Sequence, residues 1–137
     1  MEYVEFVDKV RKGAKLHSLH DAEVAVEASL ATLGERLNTT DTTALGAQVP
    51  SELKHFLSER SRVDSFDLEE YYNRVSARAD VGYPDAVQRS RKVMTVLKEA
   101  VTEGQINKVL EHLPAEFKEL FGKEPQDPLS PTQQQGK

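Results

Sequence analysis

The segment LPAEFKELFG, residues 113–122, closely matches VPSELKHFLS, residues 49–58, which lies 64 positions earlier in the chain. In both segments a proline follows an apolar residue, a glutamate comes two residues after the proline, and bulky apolar residues follow. The proline disfavours the helical conformation in the residue before it and suits the first turn of a new helix. The glutamate is favoured in that first turn by the helix dipole. Each segment is therefore predicted to end one helix, start another and anchor it in the core. The predicted structural anchors are Pro50, Leu53, Phe56, Pro114, Phe117, Leu120 and Phe121.

The same correspondence continues towards the N terminus, and it predicts two tandem repeats. Residues 30–37, LATLGERL, align with residues 94–101, MTVLKEAV, at the same spacing of 64, and their apolar positions coincide. Nearer the N terminus the spacing becomes 65, which places the one-residue difference in a loop. We expect repeat one to cover 2–58 and repeat two to cover 67–121. Because one half alone has little core, the two halves are expected to pack into a single helical domain over 1–121.

Apolar periodicity predicts an all-α fold, with about four helices in each repeat and no β-sheet. In the first helix, for example, Tyr3, Phe6 and Val10 fall on one face. Polar residues three positions apart mark several predicted helix starts, as N-cap pairs do. These pairs are Ser18 with Asp21, Asn38 with Asp41, Asp67 with Glu70, and Thr102 with Gln105. Pro84 suits the first turn of the second helix in repeat two.

Composition excludes several classes of protein. The chain has 137 residues, no cysteine and a net charge of −5. The lack of cysteine excludes a disulfide framework and thiolate zinc sites, and the negative charge disfavours nucleic acid as a partner. The N terminus lacks the features of a signal peptide, and no apolar run approaches the roughly 18 residues of a membrane span. We therefore expect a cytoplasmic protein that makes no membrane contact.

The last residues differ in composition from the rest. Residues 122–137, GKEPQDPLSPTQQQGK, contain three prolines, three consecutive glutamines and one leucine. Such a segment cannot bury enough apolar surface to offset its ordering entropy. We expect a disordered tail there.

Six segments of this chain resemble, in the same order, those of a bacterial family catalogued as domain of unknown function 2267. The segments are EYVEFVDKV, ATLGERL, LGAQVPSELKHFL, SFDLEEYYNRV, VLKEAVTEGQINKVLEHLP and EFKELF. The resemblance covers roughly residues 1–121. It implies a bacterial, cytosolic helical protein, and it supplies no catalytic residues.

The segment HSLHD, residues 17–21, offers the strongest candidates for metal ligands. His17 and His20 are three positions apart and Asp21 is adjacent, so a helix could bring these side chains together. If Ser18 caps the helix, however, His17 lies outside it, and a polar loop without metal is the favoured interpretation. The sequence contains no HExxH motif, nucleophile elbow or glycine-rich phosphate loop. The sequence therefore predicts a protein that is not an enzyme and binds no cofactor.

A basic cluster occupies the first half of repeat two and consists of Arg74, Arg78, Arg89, Arg91 and Lys92. A nucleic-acid reader needs at least such a basic stripe. The favoured interpretation is instead a solvated helix face whose arginines pair with nearby acids such as Glu70, Asp80 and Asp85.

Aromatic residues concentrate near the predicted junction of the repeats, and core packing explains most of them. Phe66, Tyr72 and Tyr83 could instead line a groove, and Tyr72 stands out because the aligned residue, Val7, is smaller. Two functions remain open. The leading hypothesis is a non-enzymatic protein–protein interaction module, and the alternative is a binder of small apolar ligands in a groove between the repeats.

Overall fold

The local cap signals form as the sequence predicts. Each predicted cap side chain accepts a hydrogen bond from the backbone N–H three residues later, at 2.8–3.3 Å. The capping residues are Ser18, Asn38, Asp67 and Thr102. Pro84 lies in the first turn of its helix, as expected. These bonds satisfy backbone donors that a helix leaves unpaired at its start, so they fix where four helices begin.

A computed structural model describes residues 1–59 and 61–123, and over these residues the chain is all-α, with seven α-helices and no strand. The helices are α1 (Tyr3–Gly13), α2 (Leu19–Arg36), α3 (Thr39–Gly46), α4 (Lys54–Ser58), α5 (Leu68–Ala79), α6 (Tyr83–Ala100) and α7 (Glu103–Glu111). Two 3₁₀ segments cover Ser51–Leu53 and Ala115–Lys118. None of the described helices is long and apolar enough to cross a membrane.

Helix α2 lies at the centre of the fold. It packs against α1, α4, α5 and α6, while α6 also contacts α1 and α5. The residues of α2 itself are mostly small or apolar and are buried on nearly every side, as expected for a helix with several neighbours. A single cluster of buried apolar residues includes members from 2–58, the first half, and from 67–121, the second half. Burial of α2 therefore places any polar group on its inner faces in a water-poor environment.

The segment after Pro114, predicted to be the fourth helix of repeat two, has a different backbone conformation from the one expected. Residues Ala115–Lys118 form a 3₁₀ segment instead of an α-helix. Its backbone bonds join each residue to the third one before it, such as Phe117 N to Pro114 O at 3.0 Å. Gly122 then adopts φ +73°, and Lys123 N bonds Lys118 O at 2.8 Å, which closes the segment. The helix predicted after Pro114 is therefore a short 3₁₀ helix, and the described residues contain seven α-helices where about eight helices are expected.

The connection between the halves is held against the end of α2. Asp64 N donates to Glu35 O at 2.8 Å, and Ser61 Oγ donates to Leu37 O at 2.9 Å. Arg36 Nε donates to Phe66 O at 2.9 Å. The first two bonds satisfy carbonyls at the C terminus of α2, and the third holds the backbone just before α5. The predicted tail lies outside the described residues from 124 onwards.

Candidate functional site

A buried carboxylate links the two halves of the protein. Glu35, near the end of α2, is 3% exposed, and Arg78 of α5 donates to both of its carboxylate oxygens, at 2.9 and 2.6 Å. Arg74, one turn earlier on α5, donates to the same carboxylate at 3.0 Å and also to Glu70 and Asp64. Paired, hydrogen-bonded geometry of this kind is what allows a charge to remain inside a protein.

Two opposing effects set the ionisation of Glu35. Burial disfavours its charge and acts to raise its pKa. The hydrogen bonds and positive charges of Arg78 and Arg74 act in the other direction and outweigh burial, so the pKa of Glu35 lies below its ordinary value. The carboxylate is therefore ionised at neutral pH and serves as a fixed charge between α2 and α5.

Beside this network a cleft of about 370 Å³ opens between α2 and α4. We call it the α2/α4 cleft, and it is lined by Val24, Glu27, Ala28, Ala31, His55, Phe56, Glu59 and Arg78. The two alanines are buried at its floor, and Val24 and Phe56 are half-buried. Glu27, His55 and Glu59 are exposed and form its rim. An apolar floor inside a polar rim is the usual composition of a recognition site.

The rim belongs to a wider acidic surface. Tyr3 donates its hydroxyl hydrogen to Glu23 Oε2 at 2.6 Å. Burial raises the pKa of Tyr3 to about 12, with further contributions from this hydrogen bond and from the charges of Glu23, Glu27 and Glu52. Glu23 and Glu27 are four positions apart on α2 and so lie on one helix face, and their charges act on the Tyr3 hydroxyl together with that of Glu52.

The α2/α4 cleft has a counterpart on α6. This second hollow, the α6 cleft, has a volume of about 410 Å³ and is lined by Gly13, Pro84, Val87, Gln88, Arg91, Lys92 and Thr95. Four of these residues, at positions 88, 91, 92 and 95, come 64 positions after residues 24, 27, 28 and 31 of the first cleft. The same helix positions therefore form a hollow in both halves, with different chemistry.

The metal-ligand candidates do not come together as a site. Ser18 caps α2, so His17 lies outside the helix, while His20 and Asp21 lie in its first turn. His17 and Asp21 instead line a polar hollow with Asp85 and Arg89. Over residues 1–59 and 61–123, no group of three or more histidine, aspartate or glutamate residues could hold a metal ion.

The other two histidines lie on exposed short segments. His55 stacks on Phe56, with ring centroids 3.9 Å apart, and lines the α2/α4 cleft. His112, at the end of α7, places Nδ1 2.7 Å from Asp41 Oδ2 of α3. Sequence spacing gave no signal for that contact, because 71 positions separate the two residues.

The basic cluster is largely neutralised by carboxylates of the same chain. Arg74 pairs with Glu70 as expected, but its other partners are Glu35 and Asp64. Arg91 pairs with Glu119. The expected pairs with Asp80 and Asp85 do not occur among the described residues, where Arg89 and Lys92 also form no ion pair. The arginines therefore do not form a free basic stripe.

The predicted groove residues do not share one open surface. Tyr72 is 3% exposed, and its ring contacts those of Tyr71 and Tyr83 edge-on at 5.8 Å. Tyr72 therefore does not line an open groove, because α6 covers its ring and Arg91 Nε donates to its hydroxyl at 3.2 Å. Tyr83 is 40% exposed, whereas Phe66 is buried beneath Arg74, whose guanidinium lies 4.1 Å from the ring centroid.

The predicted anchors divide into buried and partly exposed groups. Leu53, Phe117, Leu120 and Phe121 are fully buried, and Pro50 is buried. Pro114 is exposed, and Phe56 is only half-buried because one side of its ring faces the α2/α4 cleft.

Glu35 and the α2/α4 cleft are the features that sequence reasoning missed. One signal could have indicated the first: residues 28–34, ASLATLG, contain no charged residue and are small or apolar all round. Such a helix is buried on every side, so a glutamate directly after it must have partners. No comparable signal marks the cleft, since its walls come from residues far apart in the chain.

Comparison with known proteins places the chain in a family. None of the curated proteins matches it. A family model described as "Uncharacterized conserved protein (DUF2267)" matches residues 3–120. Because this match covers most of the chain, the protein belongs to the DUF2267 family.

Proposed function

We propose that the protein is a non-enzymatic interaction module that binds another protein through the α2/α4 cleft. The observation that carries this proposal is the composition of the cleft, in which half-buried Val24 and Phe56 are flanked by the exposed carboxylates of Glu27 and Glu59. Aromatic side chains in pockets surrounded by polar groups commonly contribute most of the affinity of a protein interface. Phe56 has that setting.

The surrounding contacts support the proposal because they hold the cleft open before a partner arrives. Arg78 lines the cleft and is fixed by its two bonds to Glu35. Gly34 lets α2 approach the backbone of α4 so closely that an added Cβ would lie 2.3 Å from Leu57 O. A preformed binding surface loses less conformational entropy on binding.

We also draw inferences about the origin of the chain and about where the protein works. We infer that the chain arose by tandem duplication, which the 64-residue spacing of the two clefts and the equal lengths of α2 and α6, 18 residues each, support. We also infer that it works in a bacterial cytosol, in line with its lack of cysteine and the resemblance of its segments.

Site-specific photo-crosslinking tests the proposed surface. The cross-linking residue p-benzoylphenylalanine would replace Glu27 in one variant and Gln88, an exposed residue of the α6 cleft, in a matched control. Both would be expressed in the cells that make the protein. We expect irradiation to join a discrete partner protein to position 27 and not to position 88. Equal products at both positions, or none at position 27, would contradict the proposal.

The alternative function is binding of a small apolar ligand. Because Tyr72 is buried, we now assign the site for that ligand to the α2/α4 cleft and not to the tyrosines. Its volume of about 370 Å³ lies within the range of about 300–1,000 Å³ that small-molecule sites occupy. Arg78 from the second half lines a cleft formed mainly by the first, so the site also touches both halves. Native mass spectrometry of the protein from its own cells would favour this alternative if it found a small molecule retained in the wild-type chain and lost in a Phe56→Ala variant.

A further inference from the structure

Four carboxylates have no cationic partner within the described part of the chain: Glu27 and Glu59 on the rim of the α2/α4 cleft, and Glu23 and Glu52 outside its lining. Glu23 and Glu27 lie on α2, Glu52 lies in the first 3₁₀ segment, and Glu59 follows α4. Within residues 1–59 and 61–123 none of them forms an ion pair. Clustered like charges raise the electrostatic free energy of the isolated protein, and a cationic partner would relieve that repulsion.

The α6 cleft shows that the fold itself does not require this chemistry. Val24 and Ala31 of the first cleft are replaced by Gln88 and Thr95 in the second. The acidic Glu27 is replaced there by a basic residue, Arg91, which is already paired with Glu119. Helix packing therefore accepts a polar, basic surface at these positions, and the apolar, acidic surface of the first cleft needs another explanation.

The α6 cleft is also partly filled by its own side chains. The aliphatic part of Lys92 packs against Gly13, where an added Cβ would lie 2.4 Å from its Cδ atom. The residues at the corresponding positions of the first cleft are Ala28 and Arg78, so the long side chain there comes from α5 and not from α2. The two clefts, of about 370 and 410 Å³, are therefore alike in size and differ in the chemistry of their linings.

We propose that the α2/α4 cleft binds a basic amphipathic helix of a partner protein. The apolar stripe of that helix would pack on Val24, Ala31 and Phe56, while lysine or arginine residues beside the stripe would pair with Glu27 and Glu59. Residues three and four apart on a helix lie on one face, which matches a short apolar floor with charges on its rim. This inference rests on the proposed function, because it specifies the partner of the same cleft.

Selection from a displayed library of random peptides tests the inference without assuming a partner. Peptides of about 16 residues are long enough to form a helix on binding. The full chain would serve as bait, and the affinity of synthetic copies of the selected peptides would be measured by fluorescence anisotropy. We expect peptides with apolar residues three or four apart and several lysines or arginines. Raising the salt concentration from about 0.05 M to about 0.5 M should weaken their binding, because it screens the rim charges.

Variants that carry the residues found 64 positions later in the chain show where the peptides bind. Glu27→Arg with Glu59→Lys copies the residues found 64 positions later, and it should weaken binding at least about tenfold. Val24→Gln with Ala31→Thr copies the α6 floor and should also weaken binding, while thermal unfolding checks that it folds. Glu69→Lys with Glu111→Lys changes the net charge as much as the first variant but lies away from the cleft, and it should retain binding.

The outcomes separate the inference from the function on which it rests. Selected peptides that lose binding to the Val24→Gln/Ala31→Thr variant but are acidic or uncharged would overturn the inference and leave protein docking at the cleft standing. No selected peptides, or peptides insensitive to every cleft variant, would overturn both.

A second copy of the chain is a further possible occupant, with its α6 cleft as the basic surface. Sedimentation of the full chain distinguishes this case. We expect a constant monomer mass across the concentrations used for peptide binding. A mass that rises with concentration and returns to the monomer value in Glu27→Arg/Glu59→Lys would overturn the foreign-helix inference.

Discussion

Arg78 donates two hydrogen bonds to the carboxylate of Glu35, at 2.9 and 2.6 Å, although 43 positions of sequence separate the two residues. The pair joins α5 to α2 and thereby ties the second half of the protein to the first. The Glu35 side chain is 4% exposed, whereas that of Arg78 is 28% exposed, so the carboxylate is the partner that depends more on the bond. Arg78 also forms part of one wall of the α2/α4 cleft.

Removing the charge of Glu35 should destabilise the protein. Breaking a fully buried ion pair costs about 3–5 kcal/mol, and because both arginines keep some contact with water we expect Glu35→Gln to cost about 2–3 kcal/mol. Glu70 pairs with Arg74 on the surface, with a side chain 45% exposed, so Glu70→Gln should cost less than about 1 kcal/mol. Urea unfolding of both variants at pH 7 measures the difference. Equal losses would show that burial of Glu35 does not govern its contribution.

The same carboxylate should make stability depend on pH. Because the pKa of Glu35 is lower in the folded protein than its ordinary value of 4.5, the unfolded chain binds more protons in the window below that value. The stabilisation is therefore fully present above pH 4.5 and is lost as the pH falls through the folded-state pKa. We expect the free-energy gap between wild type and Glu35→Gln to shrink as unfolding is measured from pH 7 down to the acid range. A gap that stays constant down to the acid limit of folding would contradict the assignment.

Replacing Gly34 or Gly104 by alanine should change the stability of the protein in opposite directions. At Gly34 a Cβ would lie 2.3 Å from Leu57 O, a backbone atom that cannot turn aside. Overpacking costs about 1–3 kcal/mol, against roughly 1 kcal/mol gained from the helix preference of alanine, so Gly34→Ala should be net destabilising. A Cβ at Gly104 meets nothing within 4 Å, so Gly104→Ala in α7 should stabilise the protein by up to about 1 kcal/mol. Thermal unfolding of both variants measures the direction of each change in stability. Stabilisation by Gly34→Ala would show that α4 can move away from α2.

Truncation of Tyr72 should resemble truncation of a core aromatic residue. Phe121→Ala removes a fully buried ring and should cost about 3–5 kcal/mol, and Tyr72→Ala should cost a similar amount because its ring is buried too. Tyr72→Phe removes only the hydroxyl that accepts from Arg91, and should cost about 0.5–1.5 kcal/mol. Chemical denaturation of the three variants tests this order. A small loss for Tyr72→Ala would restore the possibility of a ligand groove at the tyrosines.

Local signals account for the parts of the fold that could be predicted from sequence. The caps at Ser18, Asn38, Asp67 and Thr102 join residues only three positions apart, and apolar periodicity indicates which face of each helix is buried. The limit of this reasoning appears at Ala115–Lys118. There the sequence predicts the burial of Phe117 but does not predict the 3₁₀ backbone. Short segments lack the length over which helical periodicity distinguishes the two conformations.

The sequence by itself determined an all-α chain, the starts of most helices and the apolar faces they bury, because those properties arise from contacts within a few residues. Only the tertiary structure decided that Glu35 is enclosed by Arg74 and Arg78, and that Tyr72 is covered. It also decided that Val24, Phe56 and Arg78 line one cleft. These relationships depend on how α2, α4 and α5 cross. The crossing is set by many weak packing contacts together, including the close approach at Gly34, and no short stretch of sequence encodes it.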